Sequence, residues 1–83
     1  MSSSARTKEE RFILRAYEEA QKAGNPEVVL DRYVIGAAVG LTERGVNASF
    51  KLFIRSNFVK NLGEAEFCLT EHGLNLAKRL EVL

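Results

Sequence analysis

Four residues spaced along positions 44 to 55, Arg44, Asn47, Lys51 and Arg55, carry the side chains in this sequence best suited to recognising another molecule. At the roughly 100 degrees per residue of an α-helix they fall on one side, while Val46, Phe50, Phe53 and Ile54 fall on the other. The first set offers guanidinium groups that can chelate a guanine edge or a phosphate, a carboxamide matched to adenine, and an ammonium matched to backbone charge. Ala48 lies among them, small enough to let a partner approach the helix closely. Between Arg44 and Lys60 there is no Asp or Glu, so four cations stand unopposed and all eleven acids lie elsewhere. The competing interpretation is that any amphipathic helix needs a polar outer face, and Lys and Arg are good helix formers. The charge asymmetry favours a nucleic-acid face.

These residues need a scaffold, and the rest of the chain supplies its signals. The 83 residues suit one domain, 46% hydrophobic and 28% charged, with a formal charge of only +1. Binding through bulk charge alone is therefore disfavoured, and the placement of charges must decide. No apolar run approaches the ~18 residues that would span a bilayer, and no secretory leader is visible, so the expected compartment is the cytoplasm. One cysteine and one histidine exclude an internal disulfide and a self-contained structural zinc site, and no cofactor is expected.

Residues 1 to 6 are small and Ser-rich and read as a frayed tail, leaving 7 to 83 as the domain. Thr7 and Glu10 form a capping box for a helix from about Lys8 to Ala23, whose apolar face is Ile13, Ala16, Tyr17, Ala20 and Ala23. Gly24 can cap its end and Pro26 stops it. "EVVL" reads as a short strand or extended segment, followed by Asp31 as N-cap of a brief helix, "RYVIGAAVG". Gly40 can turn left-handed, Leu41 faces the core, and Thr42 caps the next helix, Glu43 to about Ser56, closed by Asn57. "FVKNL" and "EFCL" around "GEA" suit a β-hairpin with Gly63 near the turn. Thr70 opens a last helix with Leu74, Leu76, Ala77 and Leu80 apolar.

That order, with the one-residue junction in "IGAAVGLT", the hairpin in "NFVKNLGEAEFCLTEHG" and the terminal helix "LTEHGLNLAKRL", resembles the winged helix-turn-helix domain of small prokaryotic regulators over residues 8 to 80. The resemblance implies a mainly α fold with a small β-hairpin (α+β) and DNA binding for transcriptional control, although such domains also serve as protein-contact modules. It implies that the N-terminal half of helix 43 to 56 enters the major groove. Arg44, Asn47 and Ala48 would then lie near bases, Lys51 and Arg55 near phosphates, and Thr42 at a phosphate at the helix start.

The chain departs from the pattern in three places. Gly36 stands where Ala is common, Ser49 where an aliphatic residue is usual, and Glu64 and Glu66 occupy the hairpin where basic residues would meet phosphate.

Four features carry alternatives. Lys60 would extend the positive surface, or else protect a sheet edge. Strand alternation places Phe67 and Leu69 inward and Cys68 outward, as an exposed thiol. His72 has no catalytic constellation around it and reads as an exposed polar residue. Leu76, Leu80 and Leu83 form a stripe that would pack on the first helix, with any exposed remainder serving a homodimer. No paired carboxylates, activated nucleophile or phosphate-cradling glycine loop points to an enzyme.

Overall fold

The computed structural model describes residues 6–82. Helix α1 (Lys8–Ala23) begins at the Thr7–Glu10 capping box, in which both reciprocal bonds form, and ends at Gly24 with φ 68°. A two-residue strand β1 (Leu30–Asp31) leads directly into α2 (Arg32–Ala38), capped by the Asp31 carboxylate, which accepts from the backbone N–H groups of Tyr33 and Val34. Helix α3 (Glu43–Arg55) is capped by Thr42, whose side chain accepts from the Gly45 N–H. Strands β2 (Val59–Asn61) and β3 (Glu66–Leu69) form the hairpin, and Thr70 caps α4 (Glu71–Glu81). The architecture is α+β, four helices and a three-stranded antiparallel sheet, in the order expected of a winged helix.

In the sheet β3 is central, with Leu30 opposite Phe67 on one side and Val59 opposite Leu69 on the other. Its inner face meets an aromatic core. Phe12 packs on Phe53 and Phe67 with ring centroids 5.1 and 5.6 Å apart, and Phe50 meets Phe67 edge-on at 5.3 Å. Such tilted and edge-to-face pairs add ~1 kcal/mol each to the burial of the rings themselves. Helix α1 buries Ile13, Ala16, Tyr17 and Ala20 as expected; Phe12 joins them, 0% exposed at the centre of the cluster, and Ala23 at the helix end is exposed.

The junction between α2 and α3 explains the glycine at position 36. An added Cβ there would lie 2.2 Å from Val46 Cγ2, so the two helices cross too closely for any side chain at this point. The chain turns through Gly40 at φ 84°, its carbonyl accepting from the Lys8 ammonium at 3.3 Å. Leu41 packs against the core, and the Leu41 N–H returns to the Gly36 carbonyl at 2.8 Å. Past α3, Asn57 takes the left-handed conformation (φ 61°) that sequence assigns to it.

Three expectations are corrected here. Arg6, assigned to the tail, is half-buried, and its guanidinium donates to the Leu80 carbonyl at 2.6 Å; the remainder of that tail, 1–5, lies outside the described residues. Ile54, assigned to the core, is 46% exposed, while Ser49 is only 4% exposed. The first turn of α1 lies against α3 at Ser49, whose hydroxyl donates to the Glu9 carboxylate at 3.2 Å, so the buried arc of α3 reaches Ser49 and stops short of Ile54. Cys68, expected outward, is 7% exposed. As part of the central strand it has neighbours on both sides, and on the face away from the aromatic core it lines a cavity walled by Pro26, Glu27, Lys60 and Leu74.

Candidate nucleic-acid interface

Helix α3 buries Val46, Ser49, Phe50 and Phe53 and leaves Arg44, Asn47, Ala48, Lys51 and Arg55 exposed, with Thr42 exposed at its start. The two faces depend on each other. The buried face fixes the rotation of the helix about its axis, and that rotation brings the outer side chains onto one surface. The Thr42 oxygen is engaged in capping, which leaves its hydroxyl hydrogen to donate outward from the positive end of the helix. Arg44, Lys51 and Arg55 make no ion pair among the described residues; the ion pairs lie on α1, where Glu19 meets Arg15 and Lys22. The three cations outnumber the one acid of the helix, Glu43, which is exposed in its first turn.

Lys60 does not join them. It pairs across the hairpin with Cys68, on the sheet face away from Val59, Phe67 and Leu69, and it lines a cavity with Glu27, Cys68 and Glu71. The acid-free run in sequence thus divides in space. Three of its cations share α3, and the fourth, exposed and unpaired among the described residues, lies on the other face of the sheet.

Two residues that sequence reasoning overlooked shape the surface. The Tyr33 hydroxyl donates to Asn47 Oδ1 at 2.9 Å, tying α2 to the outer edge of α3. Arg32 stands at the crossing of three elements. Its Cζ lies 3.9 Å from the Phe50 ring centroid, and its Nη2 donates to Asn61 Oδ1 at 3.0 Å and to the Gly63 carbonyl at 3.3 Å. Its backbone N–H also meets the Ala65 carbonyl at 2.9 Å. The guanidinium links α3 to the hairpin and sets how the hairpin sits beside the helix. Its Nε is buried with no hydrogen-bond partner among the described residues, and the Phe50 ring supplies a cation–π contact in compensation. Only the acid at Asp31, an N-cap, and the aromatic at Tyr33 hinted at this in sequence. Neither signals contacts spanning fourteen or more residues.

The hairpin is acidic where it is exposed, with Glu64 and Glu66 outward and Glu66 opposite Asp31 in register. His72 is exposed as expected, though its ring stacks on Phe58 at 5.0 Å. Along α4, Leu80 is 5% exposed and Leu76 is half-buried against the core, so the stripe is largely covered within the monomer; Leu83 lies outside the described residues. No group of three or more potential metal ligands occurs among the described residues, and no helix among them is long and apolar enough to cross a membrane.

The arrangement defines a small α+β domain carrying one exposed helix face, with three cations and no acid after Glu43, beside a hairpin with an acidic tip. No family model, curated protein or solved structure matches the chain.

Proposed function

We propose that this domain binds double-stranded DNA sequence-specifically, with α3 in the major groove, in the service of transcriptional regulation. The observation carrying the proposal is the exposed face of α3, where Arg44, Asn47, Ala48, Lys51 and Arg55 stand together with no acid after Glu43 at the helix start, while Val46, Ser49, Phe50 and Phe53 are committed to the core. Arg44 and Asn47 read base edges, Ala48 permits close approach, and Lys51, Arg55 and Thr42 hold phosphates. Lys60 has no part, because it lies on the far side of the sheet. A dimer through Leu76, Leu80 and Leu83 is not included either, since Leu80 is already covered by its own chain.

A second reading, a winged-helix module that contacts a protein and never DNA, is favoured by Glu64 and Glu66, whose charge repels phosphate at the position from which a hairpin would reach it. Selection of bound sequences from a random duplex pool separates the two. Enrichment of a defined motif, with its preference relaxed at one position by Arg44→Ala, supports DNA reading. An absence of duplex binding even at low salt eliminates it in favour of the second.

A further inference from the structure

Asn47 is the only amide on the exposed face of α3, and it is not left to rotate. An unanchored Asn carboxamide turns broadly about its last torsion, so it can offer its donor and acceptor in either order. Here the Tyr33 hydroxyl donates to Asn47 Oδ1 at 2.9 Å. Tyr33 itself is half-buried, and it sits in the first turn of α2, where the Asp31 cap accepts from its backbone N–H at 2.8 Å. The anchor is therefore held at its backbone and partly buried, while Asn47 remains exposed to a partner. One Oδ1 lone pair is engaged, leaving the second lone pair and both Nδ2 hydrogens free.

We propose that Tyr33 is a positioning residue for base recognition, holding the plane of the Asn47 carboxamide so that it presents its donor and acceptor together to the major-groove edge of adenine. The inference rests on the DNA-binding reading above. Adenine offers an N7 acceptor beside an N6 donor, and a correctly ordered amide meets both at once. The flipped amide would place donor against donor and acceptor against acceptor. The hydroxyl donates to Oδ1 in the observed orientation and would accept from Nδ2 in the flipped one, so what it holds before binding is the plane of the amide, which lowers the ordering cost of association. Because the hydroxyl comes from α2, the crossing of the two helices at Gly36 and Val46 becomes part of the specificity.

The test uses the whole chain and Tyr33→Phe, which keeps the ring and removes the hydroxyl. Duplexes are first selected with the wild-type protein, then each position of the selected site is varied and dissociation constants are measured. Asn47→Ala identifies the position that Asn47 reads. Tyr33→Phe is expected to reduce discrimination at that same position about three- to tenfold, the equivalent of one net hydrogen bond, and to have no further effect when Asn47 is already Ala. Equal weakening on all sequences, or an effect at another position, overturns the positioning role while DNA binding stands. A second readout needs no DNA. The Asn47 side-chain amide proton and nitrogen resonances should shift on Tyr33→Phe while the backbone spectrum outside α2 and α3 stays unchanged, and unshifted side-chain resonances overturn the anchor itself. If the wild-type chain binds no duplex, the underlying DNA reading falls, and the amide resonances still decide whether the anchor exists.

Discussion

Replacing Gly36 with Ala sets two magnitudes of opposite sign against each other. In an exposed helix the change is favourable by ~1 kcal/mol, because glycine loses more backbone freedom on folding. Here the new methyl would lie 2.2 Å from Val46 Cγ2 and 3.6 Å from the Leu41 Cβ. Val46 is 1% exposed, and a valine in a helix has one strongly preferred rotamer, so it cannot swing aside. Relief then requires α2 and α3 to separate, and overpacking of this kind costs about 1–3 kcal/mol. The net expectation is a loss of up to about 2 kcal/mol, seen as a lower urea midpoint with unchanged slope and a fall of roughly 4–8 °C in Tm per kcal/mol. Val46→Ala alone is also destabilising, but in the double variant the two changes compensate, and the cycle should show at least ~1 kcal/mol of favourable coupling. A Gly36→Ala protein that is more stable than wild type, or a double variant additive within ~0.3 kcal/mol, would refute the close crossing.

The remaining expectations follow from equally local geometry. Gly73→Ala places a Cβ 2.1 Å from the Phe58 carbonyl oxygen, which accepts the Thr70 N–H at 3.1 Å, so it should destabilise more than Gly36→Ala in the same urea titration; a smaller loss contradicts the contact. Ser49→Ala removes the donor to Glu9 and should lower stability by about 1 kcal/mol; in a Glu9→Ala background, where the acceptor is gone, a loss of the same size would deny the pairing. Cys68, buried in the central strand, should react with an aromatic disulfide reagent at least about tenfold more slowly in the folded protein than in urea, and equal rates would place the thiol at the surface.

The helices were legible because their signals are local. Thr7, Asp31, Thr42 and Thr70 each cap the helix assigned to them, and Gly24, Gly40 and Asn57 take the left-handed conformations their types permit. What was not legible depends on packing between elements. Alternation in β3 separates two faces but does not say that both are covered, which is why Cys68 was placed outside. Helical periodicity placed Ile54 with the core, at the edge of that arc, yet the partner surface on α1 offers Glu9 to Ser49 at the opposite edge. Lys60 counted toward a positive stretch in sequence, but the pleat turns it behind the sheet. Of the candidate face, Thr42, Arg44, Asn47, Ala48, Lys51 and Arg55 come together on α3 as periodicity requires. Tyr33 and Arg32 could be found only once the α2–α3 and α2–hairpin contacts were in view.

The salt dependence of duplex binding tests the role of α3 most directly, because each phosphate contact releases a counterion and contributes nearly one unit to the slope of log affinity against log salt. The measurement is the dissociation constant of a selected duplex between about 50 and 200 mM salt, for the wild type and three single variants. Lys51→Ala and Arg55→Ala should each make the slope shallower by about one unit, and Lys60→Ala should leave it unchanged. Binding that is absent at the lowest salt, or a slope that responds to Lys60→Ala and ignores Lys51→Ala and Arg55→Ala, would contradict the assignment of this face to DNA.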